Sequence, residues 1–335
     1  MESISYPQDF LGGSFDLSPY ETLKRNRNYA ITLLTQINAS LNKKYGDGDG
    51  FCIAVAGSYG RLEASELSDI DLFIVHDDII DKRKADILRE RALLEIRSLC
   101  ISVPNPRGVF VEPSHLGTLI ENIGSFDDPV RQLSQRMLLL MESRPLYNGN
   151  FFRNAIKKLI NRYCEYVVYN PEKEFVVLLN EVIKYFRTIC LNYQFTFWRE
   201  NEQWPIRNLK LRHSRIVMYG GLLLLVLNAS KYGRAKCNYL EEHISFTPLE
   251  NICHVYLDND EDPAQFLPFY EKFLSMMSDK KVRENLIGLG YLERYKSDYY
   301  KELKDNSDKL CSELTRFVLS RRGVWTDSAF EYLLF

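Results

Sequence analysis

The chain has 335 residues, 45% hydrophobic and 26% charged, with a formal net charge of −2. That composition is ordinary for a globular protein with room for two domains, and it excludes disordered and fibrous classes. The near-neutral balance excludes a general electrostatic pull toward nucleic acid or anionic membrane, so a bound polynucleotide would need a local basic groove.

In chain order, Ser18-Pro19-Tyr20-Glu21 reads as a capping box with proline at the first helical position. Leu23, Tyr29, Ala30, Leu33, Leu34, Ile37 and Leu41 then recur at helical spacing, and the glycine-rich run at 46–50 ends the helix. Residues 51–56 form an apolar run that reads as a buried strand, followed by a turn at Gly57 and Ser58 and then Arg61. Ten residues after Ser58 comes Ser68-Asp69-Ile70-Asp71, which leads into a second apolar strand over 72–75. Residues i and i+2 of a strand point the same way, so Asp69 and Asp71 put two carboxylates side by side while Ile70 faces the core. Two like charges that close require a cation, and Mg²⁺ is commonly held by one or two carboxylates plus substrate phosphates.

A charged helix is expected over 81–99, and Pro104-Asn105-Pro106 then breaks the chain. Residues 108–113 read as a short strand that carries Glu112 on the same face as Phe110. A helix over 129–143 stops near Ser143, and 144–147 lead into a turn at Asn148-Gly149. From Asn150 onward the pattern is helical. One helix starts at Asn170-Pro171 and runs to about Arg199, a turn follows at Trp204-Pro205, and another helix covers 206–231. Pro248, Pro263 and the acidic loop 258–262 punctuate later helices. The expected class is therefore α+β: a small mixed β-sheet domain with an N-terminal helix over 1–148, then an α-helical bundle domain over 149–335.

The pair Gly57-Ser58, the spacer, and Asp69-x-Asp71 at a strand start, with Arg61 and Ser68 between, resemble the signature of nucleotidyltransferases of the DNA polymerase beta superfamily. The likeness is close over 57–75 and loose over the rest of the first 148 residues. It implies an enzyme that moves a nucleoside monophosphate from a nucleoside triphosphate to a hydroxyl acceptor and releases pyrophosphate. It implies that Gly57 and Ser58 hold triphosphate, with ATP as the default, and that Asp69 and Asp71 hold Mg²⁺ or Mn²⁺. Glu112 is the expected third carboxylate. Segment 129–149 is similar to the junction after the catalytic domain in bacterial uridylyltransferases.

In the helical half, Asn180, Lys184 and Arg187 share one helix face, as do Arg207, Lys210 and Ser214. Arginine suits forked phosphate contacts and lysine acts as a point charge. The pattern resembles a helical domain that closes over triphosphate, with Lys210 the first choice and Arg215 the second, and with Glu181 organising the cations instead. The expected nucleotide contacts are thus Gly57, Ser58, Arg61, Ser68, Arg187, Lys210, Ser214 and Arg215.

The acceptor stays open. It is a protein hydroxyl, as in antitoxin-type and uridylyltransferase-like relatives, or a growing oligonucleotide or cyclic signal, as in antiviral-defence relatives. A second copy or a cognate partner protein also stays open. The reading from another class is a nucleotide-binding protein that kept the fold and lost turnover, against which the intact carboxylate pair weighs.

Other chemistry has little support. Seven scattered cysteines, never in C-x-x-C spacing, argue against a disulfide framework or structural zinc. The five histidines show no metal-ligand spacing. The N-terminus has no basic-then-apolar leader, and the longest apolar stretch, 216–227, is short for a bilayer. A cytoplasmic location without membrane contact is the expectation.

Overall fold

The first long helix, α1 (Glu21–Tyr45), begins where the sequence predicts, but its cap is different. Asp16 takes the Ser18 hydroxyl, so the expected capping box does not form. Instead the N–H groups of Thr22 and Leu23 donate to the carboxylate of Glu271 at 2.8 and 2.9 Å. A carboxylate suits this end of a helix, where N–H groups lack partners and the dipole is positive.

The computed structural model describes residues 4–46, 48–99, 101–103, 108–168, 174–197 and 204–334. After α1 the chain forms β1 (Phe51–Ala56), one helical turn α2 (Gly57–Gly60), and β2 (Asp71–His76), which returns antiparallel with Asp71 opposite Ala56. Helix α3 (Lys82–Ser98) is capped by Asp81, which accepts from the Lys84 N–H at 2.7 Å. Then come β3 (Ser114–His115), α4 (Leu116–Glu121), α5 (Val130–Glu142) and β4 (Arg144–Tyr147). The sheet order is β3-β2-β1-β4, with β2 and β3 parallel and the other pairs antiparallel. The protein is thus a mixed α+β chain, mostly helical, with one small mixed sheet.

Two expectations in this region are corrected. Residues 108–113 are not a strand: Gly108–Phe110 form a 3-10 turn, and pairing with β2 begins only at Ser114. Pro113 has no N–H to give to a ladder, which delays the strand to the residue after it. Residues 144–147, expected only to lead into a turn at 148–149, form the edge strand β4, where Pro145 is tolerated because pairing is needed on one side only. The Pro104-Asn105-Pro106 break lies outside the described residues.

Both faces of the sheet are covered, so its strands are continuously apolar rather than alternating. Ile53, Val55, Leu72 and Ile74 pack toward α1 and α3. Cys52, Ala54, Ala56, Phe73 and Val75 pack into a larger core shared with the later helices. By strand alternation Asp71 belongs to the second face, the one the helices cover.

From Gly149 no further strand forms among the described residues. Helices α6 (Gly149–Val168), α7 (Val176–Phe197) and α8 (Trp204–Lys210) lead through a π-type turn, Leu211–Arg215, into α9 (Ile216–Ala229). Then follow α10 (Lys236–His243), α11 (Pro248–Leu257), α12 (Leu267–Ser278), α13 (Lys280–Ile287), α14 (Asp298–Ser320) and α15 (Asp327–Leu334). Asn170-Pro171 and Arg199, the expected ends of the helix that contains α7, lie outside the described residues. Trp204 and Pro205 open α8 rather than form a turn, as proline in a first helical turn gives up no hydrogen bond. The helical run Trp204–His243 is longer than the 216–227 stretch suggests and holds a window apolar enough to cross a bilayer, 72% of it buried inside the protein. Within that run, Gly221 packs so closely on α11 that a Cβ would sit 2.6 Å from Pro248.

The expected division at 148/149 marks where strands stop, while the larger core continues across it from Phe10 to Ala329. Glu250 of α11 pins the two parts together. It accepts from Arg27 at 2.9 Å and from the Leu11 N–H at 3.3 Å, and it lies 3.8 Å from Arg144.

Candidate functional site

The turn after β1 and the start of β2 meet because of the register. With Asp71 across from Ala56, the next residue, Gly57, lies against the Asp71 carboxylate. Gly57 has φ +68°, and a Cβ there would stand 2.9 Å from Asp71 Oδ2. Glycine is needed twice here, for the left-handed backbone and for the approach. Gly57→Ala is therefore expected to cost about 1 kcal/mol or more of stability and to displace Asp71. A denaturant titration checks the first effect, and nucleotide binding checks the second.

Asp69 and Asp71 both line a cavity of about 440 Å³ between the sheet and the helices, in the range of small-molecule sites. β2 begins only at Asp71, so Asp69 and Ile70 lie on the approach to the strand rather than within it, and Ile70 is buried in the core under α1 and α3. Its N–H donates to the Ser102 carbonyl at 3.1 Å, and the Ser102 hydroxyl donates to Asp69 at 2.7 Å. Burial pushes the Asp71 carboxyl up to about 6; Arg215 opposes this, while Glu142 and Asp69 add to it.

Gly57, Ser58, Arg61, Ser68, Lys210, Ser214 and Arg215 line the same cavity. Seven of the eight expected nucleotide contacts are thus brought together with the carboxylate pair. The π-type turn is what aligns the last of them. In a regular α-helix Lys210 and Arg215 would point about 140° apart, and i→i+5 winding reduces that angle.

These cations differ in what they have free to offer. Arg61 is buried; it donates to Glu63 at 2.7 Å and forms a short ion pair with Glu142. Arg215 donates to the other oxygen of Glu142 at 2.9 Å, and the Tyr270 hydroxyl donates to Glu63 at 2.8 Å. Two guanidinium groups and two carboxylates balance, so this network joins α2, α5, the π-type turn and α12 without leaving net charge for a ligand. Arg61, expected as a phosphate contact, thus lines the cavity and is also the centre of this buried network.

Arg89, a fifth cation lining the cavity, is paired with Glu90 at 2.7 Å, and Lys210 and Arg283 are the cations left over. Neither makes an ion pair among the described residues, and both lie within electrostatic reach of Asp69. Arg283, on α13, donates to the Leu67 carbonyl at 2.7 Å. Lys210 opens onto the solvent of the cavity but is ringed by protein; this desolvation, then Arg283 and Arg215, pull its ammonium down to about 8. A lowered lysine disfavours the charged form in the fold, a cost present below pH 8 and relieved as pH rises from there toward the ordinary value of 10.5. Lys210→Met is therefore expected to stabilise the fold at pH 7, with the gain gone by about pH 10.5, and to weaken triphosphate binding. Urea midpoints against pH and a binding isotherm check both.

Three expected positions fall elsewhere. Glu112 lies on the loop before β3, about two-fifths exposed, paired with Arg131 at 3.0 Å and Lys82 at 3.5 Å, and does not line the cavity. Without strand geometry its alternation with Phe110 is lost, and Phe110 itself lines the cavity and packs on Phe73. Arg187, with Asn180 and Lys184, is exposed on α7 away from the cavity. Glu181 is buried and organises a different cation: it accepts from Arg136 at 3.0 Å and from the Tyr163 hydroxyl at 2.6 Å.

The sequence reading misses Glu142, Glu63, Asn26 and Arg283. Glu63 lies close enough to the Gly57-Ser58 turn to have been considered. Arg283 carries no local signal, being more than 200 residues from the motif. It also misses the apolar wall of Leu93, Val103 and Phe110 from one side and Leu274 and Met277 from the other. No group of three histidine, cysteine or acidic side chains able to hold a metal occurs among the described residues. No family model matches the chain, and no curated protein matches its sequence.

Proposed function

We propose that the protein is a metal-dependent nucleotidyltransferase, its catalytic part the sheet-bearing segment to residue 148 and its triphosphate-closing part the helices that follow. One observation carries this reading. The Gly57-Ser58 turn, the Asp69/Asp71 pair and two uncommitted cations, Lys210 and Arg283, converge on one cavity from distant parts of the chain.

The donor set suits a hard divalent cation. Asp69 and Asp71 are adjacent like charges, and burial and that neighbour make the Asp71 charge costly without a counter-ion. Mg²⁺ or Mn²⁺ would be held by these two carboxylates, with phosphate oxygens of the substrate completing the shell. When bound, such a cation lowers the pKa of an attacking hydroxyl and offsets charge on pyrophosphate. The α2 turn offers backbone N–H groups and the Ser58 hydroxyl to phosphate oxygens. Lys210 and Arg283 stabilise the charge that builds on the leaving pyrophosphate as the acceptor oxygen bonds the α-phosphorus. The apolar wall suits a nucleobase. ATP as substrate, a cytoplasmic setting, and a role in antiviral defence or toxin–antitoxin pairing belong to the same proposal and rest on the sequence resemblance.

The position of Glu112 favours one second reading, a nucleotide-binding protein without turnover, because among the described residues Asp69 and Asp71 are then left to hold a cation without the expected third carboxylate. Incubation with each α-labelled ribo- and deoxyribonucleoside triphosphate and Mg²⁺ or Mn²⁺, beside an Asp69→Asn/Asp71→Asn variant, separates these. Label on protein means protein nucleotidylation, and a ladder or new small nucleotide means a polymerase or signal synthase. Binding without product supports the second reading, and no binding removes both.

A further inference from the structure

We infer that Glu63 accepts a hydrogen bond from a sugar hydroxyl of the nucleotide and so selects hydroxyl-bearing sugars; this rests on the function proposed above. Glu63 lines the cavity, and its side chain is only 3% exposed. One carboxylate oxygen, Oε2, accepts from Arg61 Nε and from the Tyr270 hydroxyl. The other, Oε1, is buried and has no hydrogen-bond partner among the described residues. An ionised carboxylate has room for about four hydrogen bonds, and a buried oxygen left with none costs about 1–3 kcal/mol. Five other buried side-chain atoms share this state, on Asn42, Arg89, Ser114, Asn251 and Asn259; of those residues Arg89 alone lines the cavity, and its free atom is a donor, Nε, so Glu63 Oε1 is the unpaired acceptor there.

The carboxylate cannot turn away to find a partner within the protein. Arg61 is held by Glu142 as well, Tyr270 is buried on α12, and Asn26 donates to the Glu63 carbonyl at 3.3 Å. The position also narrows the ligand group. The Glu63 N–H donates to the Ser58 carbonyl at 2.8 Å, so the residue is fastened to the turn assigned to phosphate. A nucleoside triphosphate carries few donors close to its phosphates. Its phosphate oxygens are acceptors, its base amino groups lie beyond the sugar, and the sugar hydroxyls lie between. A site built to take a hydroxyl rejects the analogue that lacks it, because the buried acceptor is then left dry and unpaired.

The test is equilibrium binding to the full chain of ATP, 2′-deoxyATP, 3′-deoxyATP and 2′,3′-dideoxyATP, with Ca²⁺ in place of Mg²⁺ to prevent transfer. The wild type is expected to bind ATP about tenfold or more tighter than the dideoxy nucleotide, the two single-deoxy compounds showing which hydroxyl matters. Glu63→Met is expected to bring that ratio to within about twofold, and Glu63→Gln to an intermediate value. Tyr270→Phe loosens the same carboxylate without touching Oε1 and is expected to keep the wild-type ratio, which separates selection from a purely structural role. Equal binding of ATP and the dideoxy nucleotide by the wild type would overturn the inference. So would a wild-type ratio retained in Glu63→Met or, if that variant does not fold, in Glu63→Gln. Failure of the wild type to bind any nucleotide would instead remove the functional reading beneath it.

Discussion

Asp71→Asn is expected to lower nucleotidyl transfer at least about a thousandfold, roughly 4 kcal/mol of transition-state stabilisation, while leaving the fold intact. The side chain keeps its size, so its fit against Gly57 is preserved. What is lost is one of the two carboxylate charges that hold the cation. Stability should move the other way. The carboxyl sits near 6 in the metal-free fold against an ordinary 3.8, so its contribution to stability is full below pH 3.8 and is lost as pH rises through 6. Asparagine does not ionise, and the variant should therefore resist urea better than the metal-free wild type above pH 6. Transfer of α-label and paired urea titrations measure both. Full activity in this variant would sink the metal assignment, and equal midpoints at pH 5 and 8 would sink the electrostatic account.

The second large effect is structural. Arg61→Ala is expected to cost about 3–5 kcal/mol, because it strands buried carboxylates rather than simply removing a contact. Among the described residues, Glu63 would be left without an ion-pair partner and Glu142 would keep Arg215. Against a total stability of about 5–15 kcal/mol, that is a large share. Arg215→Ala should cost less, since Glu142 would still be paired with the better buried Arg61. Chemical denaturation of both variants, without nucleotide, gives the comparison. A midpoint for Arg61→Ala within error of the wild type would show that the four-charge network does not hold the parts together.

Much of the site was legible because its core is local. The apolar runs at 51–56 and 72–75 read as buried strands and form them, and Asp69, Ile70 and Asp71 come together at the entry to the second strand, with Ile70 inward. The same local logic failed at 108–113, where Pro113 delays pairing, and gave no element at 144–147, where an edge position accepts Pro145. It failed at the start of α1, because Ser18 had a nearer partner in Asp16 and the helix N–H groups found a carboxylate 249 residues away.

By itself the sequence determined the strand–turn–strand unit, its carboxylate pair and the helical character of the second half, since each follows from periodicity within a few residues. The tertiary structure alone decided which cations serve the cavity. Lys210 and Arg187, each on a polar helix face, look alike in the sequence, yet position sorts them, since Lys210 lines the cavity and Arg187 does not. Arg61 and Arg215 are bound into a neutral network, Arg187 faces outward, and Lys210 and Arg283 are left with free charge beside Asp69. Charge type is written in the sequence, but whether a charge is already paired depends on neighbours that only packing brings within a few ångströms, where electrostatic energy is largest.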